Sequence, residues 1–116
     1  MTNKRFQSIS EFYPYYLSEH RKPLTRTMHF VGTLLLIICL MYALLLQKWL
    51  LLFLIPVLGY GFAWASHAFI ERNKPATFTY PVYSLGSDFI MFWDMLTGRI
   101  SKRMVEAEKQ YPLDQH

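Results

Sequence analysis

TLLLIICLMYALLLQKWLLLFLIPVLGYGFAWASHAF, Thr33–Phe69, decides the fold. Gln47 and Lys48 break it into two apolar runs. Extended outward, the runs predict helices over about 24–46 and 49–69, each close to the roughly 20 residues that cross a bilayer. With so short a connection they form a tight antiparallel hairpin. A soluble two-helix core wants a polar stripe on each helix. Leu34–Leu46 has none, which places lipid on the outside. Pro56 predicts a kink in the second run, and Gly59 and Gly61 predict close approach of a neighbouring helix.

The rest of the chain fits around this hairpin. Its 116 residues allow one domain, 53% are hydrophobic and 17% aromatic. A soluble chain this short has little interior in which to hide so much apolar surface. The expected class is an all-α integral membrane protein, one membrane domain over 1–116. Ser8 and Glu11 stand at capping-box spacing, ahead of Phe12, Tyr15, Tyr16 and Leu17, and predict an interfacial helix over 8–20, with Pro14 as its weak point. Residues 83–110 read as interfacial or re-entrant helices, too short and too acidic, with Asp88 and Asp94, for a further span. The stretch MTNKRFQSISEFYPYY lacks the apolar run of a cleavable signal peptide, so the chain's own helices hold it in the membrane.

Charge sets the orientation. Lys4, Arg5, Arg21, Lys22 and Arg26 precede the hairpin, and Arg72, Lys74, Arg99, Lys102 and Arg103 follow it. Lys48 alone sits at the turn. Both termini are therefore expected on the cytoplasmic side of a bacterial inner membrane or an endoplasmic-reticulum-type membrane. The net charge of +4 is a lipid-headgroup pattern, not a nucleic-acid one. The single cysteine, Cys39, excludes a disulfide framework within the chain.

The hairpin also aligns histidines. His29 lies 19 residues before Lys48 and His67 lies 19 after it, so both fall about 28 Å from the turn, at the cytoplasmic boundary. His20, at the end of the first helix, can reach the same level. Asp88 and Glu71 come from segments that start there. Three imidazoles with a carboxylate suit a divalent first-row metal. His67 and Glu71, at i and i+4, share a helical face, so Glu71 can ligate or orient an imidazole. Asn73 can help cap the helix, which Pro75 is expected to stop. The competing view is plain: a lone histidine at a membrane boundary is ordinarily interfacial, and Glu71 beside Arg72 and Lys74 is ordinarily a solvated charge. His116, the terminal residue, is set aside.

FYPYYLSEHRKPLTRTMHFVG, followed by GYGFAWASHAFIERNKPATFTYPVYSLGSDFIMFWDMLTGRI, resembles the small membrane proteins of the Mpo-type 2-hydroxy fatty acid dioxygenase family. The pattern is carried by Tyr16, Leu17 and His20; by His29 and Gly32; by His67, Glu71, Asn73, Pro75, Thr77 and Phe78; and by Pro81, Ser84, Leu85 and Asp88. One departure is visible: Thr25 precedes Arg26 where family members often carry Asn. The resemblance implies an Fe(II)-dependent oxygenase of fatty acid α-oxidation, with membrane lipid around it and a 2-hydroxy fatty acid and O2 as substrates. By position, His20, His29 and His67 become metal ligands, and Glu71 and Asp88 the catalytic carboxylates, as a fourth ligand or orienting partners. Arg26, Arg72 and Asn73 become substrate-binding residues. Two other classes use the same residues differently: a zinc-dependent lipid hydrolase, and a non-enzymatic membrane scaffold or lipid-binding protein.

Overall fold

The computed structural model describes residues 6–74 and 79–112. Lys4, Arg5, the expected helix stop at Pro75, the pattern residues Thr77 and Phe78, and His116 lie outside the described residues. All regular structure among the described residues is helical. The chain divides into two compact units, one of Met1–Arg21 and Ala76–His116, the other of Lys22–Pro75.

The first unit holds α1 (Ile9–Ser18), α4 (Pro81–Thr97) and α5 (Ile100–Gln110). Ser8 caps α1, its Oγ accepting the Glu11 N–H at 3.2 Å, and Glu11 Oε1 accepts the Gln7 N–H at 3.2 Å. Pro14 sits inside the helix. Tertiary packing carries it: Phe12, Tyr13, Tyr16 and Leu17 are buried with Phe6, Met91, Met104 and Ala107 in one core, and such burial outweighs local propensity. Gly98, in the left-handed conformation at φ 82°, ends α4 as a C-terminal glycine does.

α4 is amphipathic in an unusual sense. Its inward residues include Ser84, Ser87 and Asp94, all buried, whereas Val82, Leu85, Phe89, Trp93 and Leu96 are exposed. These five follow helical spacing, so they form an apolar stripe along the outer face.

The second unit is the expected hairpin. α2 (Pro23–Leu45) begins with proline at its first position, where no N–H is needed. Gln47, at φ 56°, turns the chain. A 3₁₀ segment, Trp49–Phe53, leads into α3 (Leu54–Ser66), and a π-helical turn, His67–Glu71, ends it. The irregularity expected at Pro56 therefore lies before it. The change from 3₁₀ to α geometry occurs at Leu54, and Pro56 falls in the first turn of α3, where its missing N–H costs little.

Two helical segments among the described residues, Pro23–Leu45 and Trp49–Glu71, are long and apolar enough to cross a membrane. The buried face of α2 is made of Thr25, His29, Gly32, Thr33, Leu36, Cys39 and Ala43, mostly small or polar. Its leucines other than Leu36 turn outward: Leu34, Leu35, Leu40, Leu44 and Leu45 are all exposed. Small residues inside and large apolar residues outside is the pattern of helices that pack within lipid. Gly32 is the point of closest approach, because a Cβ there would stand 2.8 Å from the Leu58 carbonyl oxygen. Of the two glycines singled out from sequence, Gly59 packs on Leu36, and Gly61 faces open space.

Candidate metal centre

The hairpin brings His29 and His67 together. Their ring centroids lie 5.1 Å apart at an interplanar angle of 89°, and both side chains are buried. The equal count of residues on either side of Lys48 is what places them at one level.

The partners of each ring fix its tautomer. His29 Nδ1 is 2.9 Å from the Thr25 carbonyl oxygen. A carbonyl oxygen only accepts, so Nδ1 carries the proton and Nε2 presents a lone pair. Ser66 Oγ, 3.3 Å from the same nitrogen, gives its own proton to the Ala63 carbonyl at 2.7 Å and so accepts a share of the imidazole N–H. His67 Nδ1 is 2.6 Å from Asn73 Oδ1, with the same result. In the first unit, His20 is buried at the end of α1, its Nδ1 2.6 Å from the Tyr16 carbonyl oxygen and its ring stacked on Tyr16 at 4.1 Å. All three imidazoles thus donate through Nδ1, which leaves the lone pair on Nε2. A second ring nitrogen held by an oxygen acceptor is how proteins orient metal-binding histidines.

The remaining sequence candidates fall in several places. Glu71 Oε2 accepts the backbone N–H of Lys22 at 2.5 Å, and Lys22 Nζ donates to the Ile70 carbonyl at 3.0 Å. Glu71 therefore joins the π-helical turn to the start of α2. Arg26 lies one turn before His29 and is partly buried. Arg72 is exposed and in the left-handed region at φ 62°, ψ 44°. The missing amide at Thr25 leaves the support of His29 intact, because the backbone carbonyl supplies it. The Thr25 Oγ1 is itself buried without a hydrogen-bond partner among the described residues.

Asp88 belongs to the first unit. The Tyr16 hydroxyl donates to its Oδ1. Burial pushes the Asp88 carboxyl up to about 7, against the opposing pull of that hydrogen bond. Burial, and then the negative charge of Asp88, raise the Tyr16 hydroxyl well above the usual phenol range, so Tyr16 stays a donor. Tyr13 makes a parallel pair, donating to buried Asp94 at 2.7 Å, with Arg103 Nε 3.6 Å away on the same carboxylate oxygen. Tyr13 is raised likewise, chiefly by burial.

A family model described as 2-hydroxy-palmitic acid dioxygenase Mpo1-like matches residues 6–100. The chain belongs to this family. No curated protein and no solved structure matches it significantly. The matched span contains all three histidines, Asn73 and both Tyr–Asp pairs. Sequence reasoning had found the histidines and Asp88. It missed Tyr16 as the partner of both His20 and Asp88, the Thr25 carbonyl and Ser66 as partners of His29, and the π-helical turn. The carbonyl contacts were within reach, since a helical histidine always has an i−4 carbonyl nearby. The π-helical turn leaves no sequence signal of its own.

Proposed function

We propose that the protein is an Fe(II)-dependent dioxygenase that converts a 2-hydroxy fatty acid, with O2, to the acid one carbon shorter. The observation that carries this reading is the buried imidazole set, with every Nδ1 engaged by an oxygen acceptor, in a chain of this family. His20, His29 and His67 are buried and could together hold a metal ion. Nitrogen ligands of this kind suit iron. Bound iron would supply the redox chemistry toward O2 that side chains lack.

The chain's own residues do the rest. Thr25, Ser66, Asn73 and Tyr16 hold the imidazoles in one tautomer. Arg26 and Arg72 are the guanidinium groups suited to a carboxylate, which they bind in a fork geometry. Asp88, with its carboxyl near 7, is suited to take up and return a proton close to neutral pH, and Glu71 is kept with it as a candidate catalytic carboxylate. The hairpin crosses the bilayer with both termini and the site on the cytoplasmic side. The outer stripe of α4 rests in the membrane surface, where an apolar helix face of this length finds lipid.

Oxygen uptake by iron-loaded protein in detergent tests the reading. With a 2-hydroxy fatty acid, O2 consumption should accompany the acid shortened by one carbon. The unhydroxylated acid should give neither. A zinc-loaded protein that hydrolyses a lipid ester without O2 uptake would replace this reading with the hydrolase. Full tolerance of His29→Ala combined with His67→Ala would replace it with a scaffold.

A further inference from the structure

We infer that Asn73 is the positioning residue of His67, and that the π-helical turn exists to bring it there. The inference rests on His67 serving as a metal ligand.

In a continuous α-helix, residue 73 would lie about 9 Å along the axis from residue 67 and on a different face, out of reach of its ring. Two departures from helical geometry remove that separation. The turn His67–Glu71 is π-helical, and Arg72 follows in the left-handed conformation, which a residue with a Cβ adopts only at a cost. The chain then folds back on His67. The His67 carbonyl accepts the Arg72 N–H and also the Asn73 N–H at 3.0 Å. The Asn73 Oδ1 takes the His67 Nδ1 proton at 2.6 Å. Asn73 thus grips His67 at its backbone and its side chain at once. Glu71 anchors the same turn to Lys22, so the distortion is held from both ends. π-Helical turns within α-helices occur frequently at functional sites.

The chemistry of the acceptor matters as much as its place. An amide oxygen accepts a hydrogen bond but carries no charge. It fixes the tautomer of His67 while leaving the ring a neutral donor, whereas a carboxylate there would make the ring more basic. The same contact argues against the substrate-binding role that the sequence pattern suggests for Asn73, because its oxygen is committed to the imidazole.

The test uses the full chain in detergent micelles, as wild type, Asn73→Ala and Asn73→Asp, with two readouts. The first is ¹⁵N NMR of histidine-labelled, metal-free protein. Wild type should show His67 as the Nδ1–H tautomer, Asn73→Ala a mixture, and Asn73→Asp the Nδ1–H form again. The second is titration with Co(II), followed by its visible d–d bands. Asn73→Ala should bind about 10–100-fold more weakly, the usual loss when an outer partner of a metal-bound histidine is removed. Asn73→Asp should recover most of the affinity with shifted bands. An unchanged tautomer and unchanged Co(II) affinity in Asn73→Ala would overturn the inference while leaving the metal reading intact. No Co(II) bound by wild type, with the tautomer still lost in Asn73→Ala, would remove the metal reading and keep Asn73 as the residue that orients His67.

Discussion

The core of the first unit and the hairpin use apolar residues in opposite ways. Apart from the exposed stripe of α4, the first unit turns large apolar side chains inward: Phe6, Phe12, Tyr13, Tyr16 and Leu17 are buried around Met91 and Met104, and rings pack edge to face, as Phe6 and Phe12 do at 5.3 Å. The hairpin turns its largest side chains outward, with Leu45, Leu50 and Phe53 each at least three-quarters exposed. Its inside is small and polar. The first arrangement is stabilised by taking apolar area away from water. The second is the arrangement suited to lipid over the outer face, and its helices meet by close packing of small residues. The histidines sit where each pattern is interrupted by polarity, and there the backbone and Asn73 supply hydrogen bonds that the apolar surroundings lack.

The sharpest way to break this contrast is to truncate one phenylalanine of each kind. Phe12→Ala, fully buried, should destabilise the first unit by about 3–5 kcal/mol. Phe53→Ala, 77% exposed, should stay within about 0.5 kcal/mol. Denaturant unfolding in mixed micelles measures both, and equal losses would erase the distinction.

A smaller effect separates the glycines of the hairpin. Gly32→Ala pushes a Cβ against the Leu58 carbonyl and Phe62, where backbone cannot yield, and should cost about 1–3 kcal/mol. Gly61→Ala meets nothing within 4 Å among the described residues and should be neutral or stabilising by a few tenths of a kcal/mol, up to about 1. The same unfolding measurement ranks them, and the reverse order would mean that the helices meet elsewhere.

The smallest effect is a pH dependence confined to the first unit. Asp88 is raised to about 7 from an ordinary carboxylate value, so the folded state binds its proton more tightly than the unfolded chain does. Its contribution is therefore fully present below the unfolded value near 4 and is lost as pH rises through about 7. Because the Asp88 residue keeps partial exposure, the swing should be on the order of 1 kcal/mol. The melting-temperature difference between wild type and Asp88→Asn, followed from about pH 5 to pH 8, should move against wild type as pH rises. A difference that moves in favour of wild type over that window would have the opposite sign to the one burial of Asp88 dictates.

Much of this was legible before any coordinates. The uninterrupted run around Gln47–Lys48 announces a hairpin because nothing else explains two such segments so closely joined. Counting from Lys48 pairs His29 with His67, since helical rise converts residue number into depth. Ser8 and Glu11 announce the start of α1 for an equally local reason. What stayed hidden depends on the path of the backbone over longer range. The inside-out face of α4 reads as a simple apolar run until its partners are known. The link from Tyr16 to Asp88 joins residues 72 apart. The return of Asn73 to His67 needs a π-helical turn and a left-handed arginine, neither of which a helical wheel can draw. The contact of Glu71 with the Lys22 N–H was hidden for the same reason: i, i+4 spacing holds for an α-helix, and Glu71 lies in a π-helical turn.

The central claim is that His20 joins the His29–His67 pair in one metal centre. It is tested most directly by iron content after anaerobic loading of the full chain, comparing wild type with His20→Ala and His67→Ala. The account predicts about one iron per chain in wild type, as a single imidazole-ligated site requires, and its loss in both variants with helicity unchanged. Wild-type iron content in His20→Ala would contradict it.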